Sequence, residues 1–191
     1  MTQGPLALPR SRTGTVAIDG AHATLRFERT LRHPPEEVWA ALTQPEALSA
    51  WYMAKASIDG RKGGTVDMHT GPSQFHVTGR ILVWDPPRTF EHEWRVAPRP
   101  ELPEGEDAVI RWELEPVPEG TRLLLTHRRL TKATALGFAP GTHALLDRLE
   151  AHLDRTPLPA FGQRYQEVLP GYPPMPGPPG ARPASGPDRP A

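Results

Sequence analysis

Past residue 60 the hydrophobic period of this chain changes once, and that change limits the folds open to it. Apolar side chains recur at every second position through residues 64–69, 74–84, 89–96, 108–115 and 121–129, with Gly71-Pro72, Asp85-Pro86-Pro87 and Glu119-Gly120 as punctuation. Period two marks half-buried strands, and short links between consecutive strands make an antiparallel sheet. Phe90, His92 and Trp94 alternate with Glu91, Glu93 and Arg95, and Ile110, Trp112 and Leu114 alternate with Arg111, Glu113 and Glu115. Each strand therefore has one wet and one buried face. Over residues 141–155 the period becomes 3.6: Thr142, Leu145, Leu146, Leu149 and Leu153 share one face, with Asp147, Glu150 and Asp154 opposite. A sheet with one apolar face and a single long amphipathic helix bury each other.

Upstream, residues 24–31 read as a strand that turns Leu25, Phe27 and Leu31 inward. Pro34-Pro35-Glu36-Glu37 starts a helix, because proline suits a first turn and acids suit the dipole, and Val38, Trp39 and Leu42 then form its stripe. Thr43-Gln44-Pro45-Glu46 has capping-box spacing, so a second short helix carries Leu48 and ends near Trp51 and Tyr52. After Pro157, the spacing of Phe161, Tyr165 and Val168 predicts a short amphipathic appendage. The organisation expected is a flexible arm over 1–22, with a short strand at 15–18, a domain over 23–169 and a disordered tail over 170–191. Nine of the chain's 25 prolines fall in that tail, where little apolar surface offsets ordering entropy.

Composition removes several functions. The chain has 191 residues, 22 basic against 22 acidic, so no global field draws it to nucleic acid or anionic lipid. It has no cysteine, hence no thiol nucleophile, iron–sulfur cluster or thiolate zinc site. No apolar run reaches the roughly 18 residues of a membrane span, and a cytoplasmic location is the default expectation. Eight histidines raise the question of a metal. There is no HExxH, however, and His143 and His152 sit on opposite sides of the last helix, so no metal site and no cofactor are expected.

The chemistry-bearing residues point inward. Alternation sets His92 and His127 beside Phe90, Trp94, Ile110, Trp112, Leu123 and Leu125. Such imidazoles serve as hydrogen-bond handles or acid–base groups in an apolar pocket, or as satisfied core histidines. Arg29, at a strand end, fits an anionic ligand group or a salt bridge. His143 and Asp147 are spaced i, i+4, as an orienting pair would be, yet both lie toward the acidic face and read as solvated helix surface.

The segments FERTLRHPPEEVWAALTQPEALSAWY, WDPPRTFEHEW, IRWELEP, GTRLLLTH and GTHALLDRLEAHL together resemble the SRPBCC superfamily of helix-grip domains, and within it the group named for similarity to the activator of the heat-shock-protein-90 ATPase. The resemblance covers about residues 25–153. It implies an α+β helix-grip fold: a curved antiparallel sheet wrapped around a long C-terminal helix, with two short helices after the first strand. It also implies an apolar cavity between sheet and helix, drawing on Trp39, on Phe90, His92, Trp94, Ile110, Trp112, Leu125 and His127, and on Thr142, Leu146 and Leu149. Relatives often carry tryptophan where this chain has Thr142, a change that enlarges or rewets that end. The function implied is binding of a small hydrophobic, aromatic molecule without catalysis. The alternatives are an aromatase/cyclase- or hydrolase-type enzyme using His92 and His127, and a co-chaperone. Chaperone contact rests on the family name alone, since activating members use an additional N-terminal domain that a 20-residue arm cannot supply. No nucleic-acid or membrane partner is expected, and a homodimer is left open.

Overall fold

The computed structural model describes residues 12–71 and 74–174. Eight antiparallel strands form one curved sheet in the order β1-β2-β8-β7-β6-β5-β4-β3. They are β1 (Thr15–Asp19), β2 (His22–Leu31), β3 (Ala54–Ile58), β4 (Thr65–Thr70), β5 (His76–Asp85), β6 (Thr89–Val96), β7 (Glu106–Val117) and β8 (Gly120–Thr131). Helices α1 (Pro35–Thr43) and α2 (Pro45–Trp51) carry the chain from β2 across to the far edge at β3. Helix α3 (Lys132–Leu153) then lies in the concavity, followed by α4 (Phe161–Val168). This is the helix-grip architecture that the resemblance implies, with the long helix covering the sheet's apolar face as the periodicity requires.

The curvature has local causes. Register shifts between Ile81 and Val83 and between Ala23 and Leu25 add twist where strands bend around the helix. At Gly79 a Cβ atom would stand 2.0 Å from the Glu93 carbonyl oxygen, so only glycine admits that approach. Leu25, Phe27, Ile81, Leu123, Leu125, Leu146 and Leu149 are among the buried residues of the core between sheet and α3.

Three features differ from the sequence expectation. Strand β3 is additional: in AKASI, small side chains on the inner face leave a weak alternation signal. Helix α3 starts at Lys132 rather than 141 and runs through Pro140, with the Thr131 hydroxyl capping it by accepting from the Thr134 N–H at 3.3 Å. The arm and the tail also contribute to the fold. Residues 15–19 pair with β2 as the edge strand expected at 15–18, while Tyr172, in the tail expected to be disordered, is buried. The remainder of these two segments, 1–11 and 175–191, lies outside the described residues. Among the described residues, no helix is long and apolar enough to cross a membrane.

Candidate functional site

Strands β6, β7 and β8 present their inner faces to α3 as a ladder. Ile110 stands between His92 and His127, and Trp112 between Phe90 and Leu125. Where α3 crosses this ladder it carries Gly137 and Gly141, one helical turn apart, so no side chain fills the gap on that face. The result is a cavity of about 340 Å³, at the small end of the roughly 300–1,000 Å³ of ligand pockets.

Of the eleven residues expected to line such a cavity, seven do so: Trp94, Ile110, Trp112, Leu125, His127, Thr142 and Leu146. The other four sit elsewhere. Phe90 and His92 face a neighbouring void of about 30 Å³ under α2. Trp39 packs edge-on against Trp84, 5.0 Å between ring centroids, and against Phe90 at 6.3 Å. Leu149 is sealed in the core, turned past the cavity by its position on α3.

The remaining walls come from elements that alternation could not position. Trp51 and Tyr52 enter from the end of α2, Thr70 and Phe75 from the β4–β5 hairpin, and Phe161 and Tyr165 from α4. Phe138 and Leu145 complete the α3 wall. Phe138 contacts the rings of Phe75, Trp94 and His127 at 5.9, 6.4 and 6.1 Å. The signal that could have located this wall is the Gly137/Gly141 spacing, which becomes meaningful once the helix begins at Lys132.

No Asp, Glu, Lys or Arg lines the cavity among the described residues. Two of the lining residues each keep a buried polar atom without a hydrogen-bond partner, Trp94 Nε1 and His127 Nε2. The two rings are 5.2 Å apart. Burial, and secondarily the neighbouring His92, pushes the His127 pKa down to about 3, so its ring is neutral at physiological pH. Burial likewise brings His92 down to about 4, while its Nδ1–H donates to the Glu93 carbonyl at 2.7 Å. Burial pushes the Tyr52 phenol well up, keeping it un-ionised.

On the opposite flank of α3 the expectation of a solvated acidic face is overturned. His143 and Asp147 are buried because the segment before β1 and the residues after α4 pack over them. Asp147 accepts from Arg12 at 2.6 Å and Arg164 at 2.7 Å, and lies 3.6 Å from the buried Arg29. Burial alone would raise the Asp147 carboxyl, but these arginines outweigh it and hold it below its usual range. The Tyr172 hydroxyl accepts from the Gly14 N–H at 3.0 Å and donates to His143 Nδ1 at 2.9 Å. Burial draws His143 down to about 4. Of the two roles open to Arg29, the salt-bridge partner is the one its position beside Asp147 supports.

Solved structures share this architecture. A crystal structure of MLL2253 from Mesorhizobium loti is 28% identical, with a TM-score of 0.62 over 71% of this chain and 99% of that one. BPP1335 from Bordetella parapertussis, solved in solution, is 26% identical, with a TM-score of 0.62 over 87% and 94%. CalU16 from Micromonospora echinospora, at 22% identity, matches in fold with a TM-score of 0.65 over 85% and 94%. Curated proteins offer no match to the sequence. The profile of the family described as Activator of Hsp90 ATPase homolog 1-like protein matches residues 32–154, from the turn before α1 to the end of α3. With the sheet, the gripping helix and the cavity between them as its frame, the chain belongs to the Activator of Hsp90 ATPase homolog 1-like family of the SRPBCC type.

Proposed function

We propose that the protein is a binding module for a small, neutral, largely aromatic molecule that carries one oxygen-bearing polar group. The observation that carries this reading is an apolar cavity lined by two neighbouring rings, Trp94 and His127, whose Nε1 and Nε2 atoms are buried without a hydrogen-bond partner. Leaving a buried donor unmatched costs about 1–3 kcal/mol. A ligand oxygen that accepts from the indole N–H, in reach of the neutral imidazole, recovers that loss. A carboxylate or ammonium would enter without a counter-charge, so the cavity selects against ions. Aromatic walls favour ring-shaped ligands through stacking and edge contacts.

An acid–base role for His92 and His127 finds less support. Efficient proton transfer near neutrality wants a pKa near the working pH, and burial holds His92 and His127 well below it, at about 4 and about 3. They also face different voids. Contact with a chaperone has only the family's name in its favour.

The experiment is a titration of tryptophan fluorescence with 2-naphthol and with naphthalene, two ligands that differ by one hydroxyl. Saturable binding that prefers 2-naphthol by about tenfold is expected, matching about 1.4 kcal/mol. Trp94→Phe should erase the preference and leave naphthalene binding in place. Failure of both ligands to bind would remove the binding-module reading. Mass spectrometry of the natively purified protein then identifies the cellular ligand.

A further inference from the structure

On the outer face of the sheet, turned away from the cavity, the β4–β5 hairpin gathers Asp67, His69 and His76. Asp67 and His69 are two apart on β4 and so share a face, while His76 is the direct cross-strand partner of His69. All three are exposed, and one ligating atom from each lies within 4.8 Å of the other two. The two imidazoles are stacked, 4.1 Å between centroids and 6° from parallel. His76 Nε2 is 3.1 Å from one Asp67 carboxylate oxygen and 3.2 Å from the other.

We propose that Asp67, His69 and His76 form a binding site for one divalent late-transition cation of the Zn²⁺ type. Two imidazoles and one carboxylate are the donor set such ions prefer, whereas Mg²⁺ and Ca²⁺ take oxygen alone. Metal–ligand bonds of about 2.0–2.1 Å set tetrahedral neighbours about 3.3 Å apart, close to the spacing between His76 and Asp67. The cation would take the place of the hydrogen bond between these two side chains. Three protein ligands leave the remaining positions to water.

The hairpin organises the set in advance. Thr70 N–H donates to the Phe75 carbonyl at 2.9 Å and Phe75 N–H to the Thr70 hydroxyl at 3.1 Å, locking the turn just beyond the histidines. His69 and His76 therefore form a non-hydrogen-bonded pair, the kind whose side chains stand closest. The neighbouring cation, Lys55, is opposite His69 on β3 and exposed, with a long stem that lets its ammonium swing into solvent. The helical spacing used to judge metal binding from sequence is blind to this arrangement, since its ligands lie on two strands.

Zn²⁺ titrated calorimetrically into the full chain tests the site, with His69→Gln and His76→Gln as variants and His22→Gln, an exposed histidine on β2, as control. Binding tighter than about 100 µM is expected, weakened about tenfold or more by each of the two hairpin variants and unchanged by the control. Weaker binding by the wild type, a hairpin variant that keeps its affinity within tenfold, or a control that loses it overturns the proposal. All three substitutions are at exposed positions, and unchanged thermal melting in EDTA verifies that the variants fold.

Discussion

The two flanks of α3 are built on opposite principles. Toward β6–β8, volume is left open beside Gly137 and Gly141, and the walls are apolar and aromatic side chains such as Phe138, Trp94 and Trp112. Toward β1 the volume is filled, and Asp147 gathers two arginine hydrogen bonds while Tyr172 joins Gly14 to His143. Empty space reduces stability, whereas hydrogen-bonded side chains tie the helix to its neighbours. One flank is therefore organised to receive something and the other to hold still.

The contrast predicts opposite responses to substitution. Asp147→Ala should have the largest effect, a loss of about 3–5 kcal/mol in chemical denaturation, because it leaves Arg29, only 4% exposed, without its nearest counter-charge. Ligand titration of the surviving fold should be little changed. A near-neutral outcome would mean that the filled flank contributes no rigidity.

The next effect is on pH dependence. His127, His92 and His143 are neutral when folded, with pKa values of about 3, 4 and 4, and return toward about 6.5 on unfolding. The unfolded chain therefore binds more protons below pH 6.5. Their stabilisation is fully present above that value and is lost as pH falls toward 4, at about 1.4 kcal/mol per pH unit for each ring. His127→Gln should lower the slope by one proton, measured as denaturation midpoints between pH 6.5 and 4.5. An unchanged slope would show that His127 is already charged in the folded state.

The smallest effect has the opposite sign. A Cβ on Gly141 would meet Phe161 and Tyr165 at 3.8–4.0 Å, ordinary contact distances. Gly141→Ala should thus stabilise by about 0.5–1 kcal/mol through helix propensity while weakening ligand binding, a trade readable by pairing melting with fluorescence titration.

Much of this was legible in the chain, for reasons that differ by element. Strands β6, β7 and β8 announce themselves because each has one wet face, so the inward set Trp94, Ile110, Trp112, Leu125 and His127 follows from period two alone. Whether an inward residue faces the larger cavity or the smaller void is decided by where α2 and α3 cross, which separates His127 from His92 although alternation treats them alike. Pro140 masked the first turns of α3, and with them Gly137 and Phe138. The burial of Asp147 was illegible for another reason: two of its arginines, Arg12 and Arg29, are far away in sequence, Arg12 in a segment with no periodicity of its own, and the third, Arg164, arrives on a separate helix.

The strand order also carries a kinetic consequence. From β3 to β8 every strand pairs with its successor, so six strands assemble through short-range contacts. The pairing of β2 with β8 instead joins Leu31 to Thr121 at its nearest point, closing a loop of about ninety residues. Loop-closure entropy opposes that step more than any hairpin, so β2 docks late and the rate of folding is governed by its arrival. Contacts of Phe27 and Leu25 therefore form in crossing the main barrier, and weakening them slows folding.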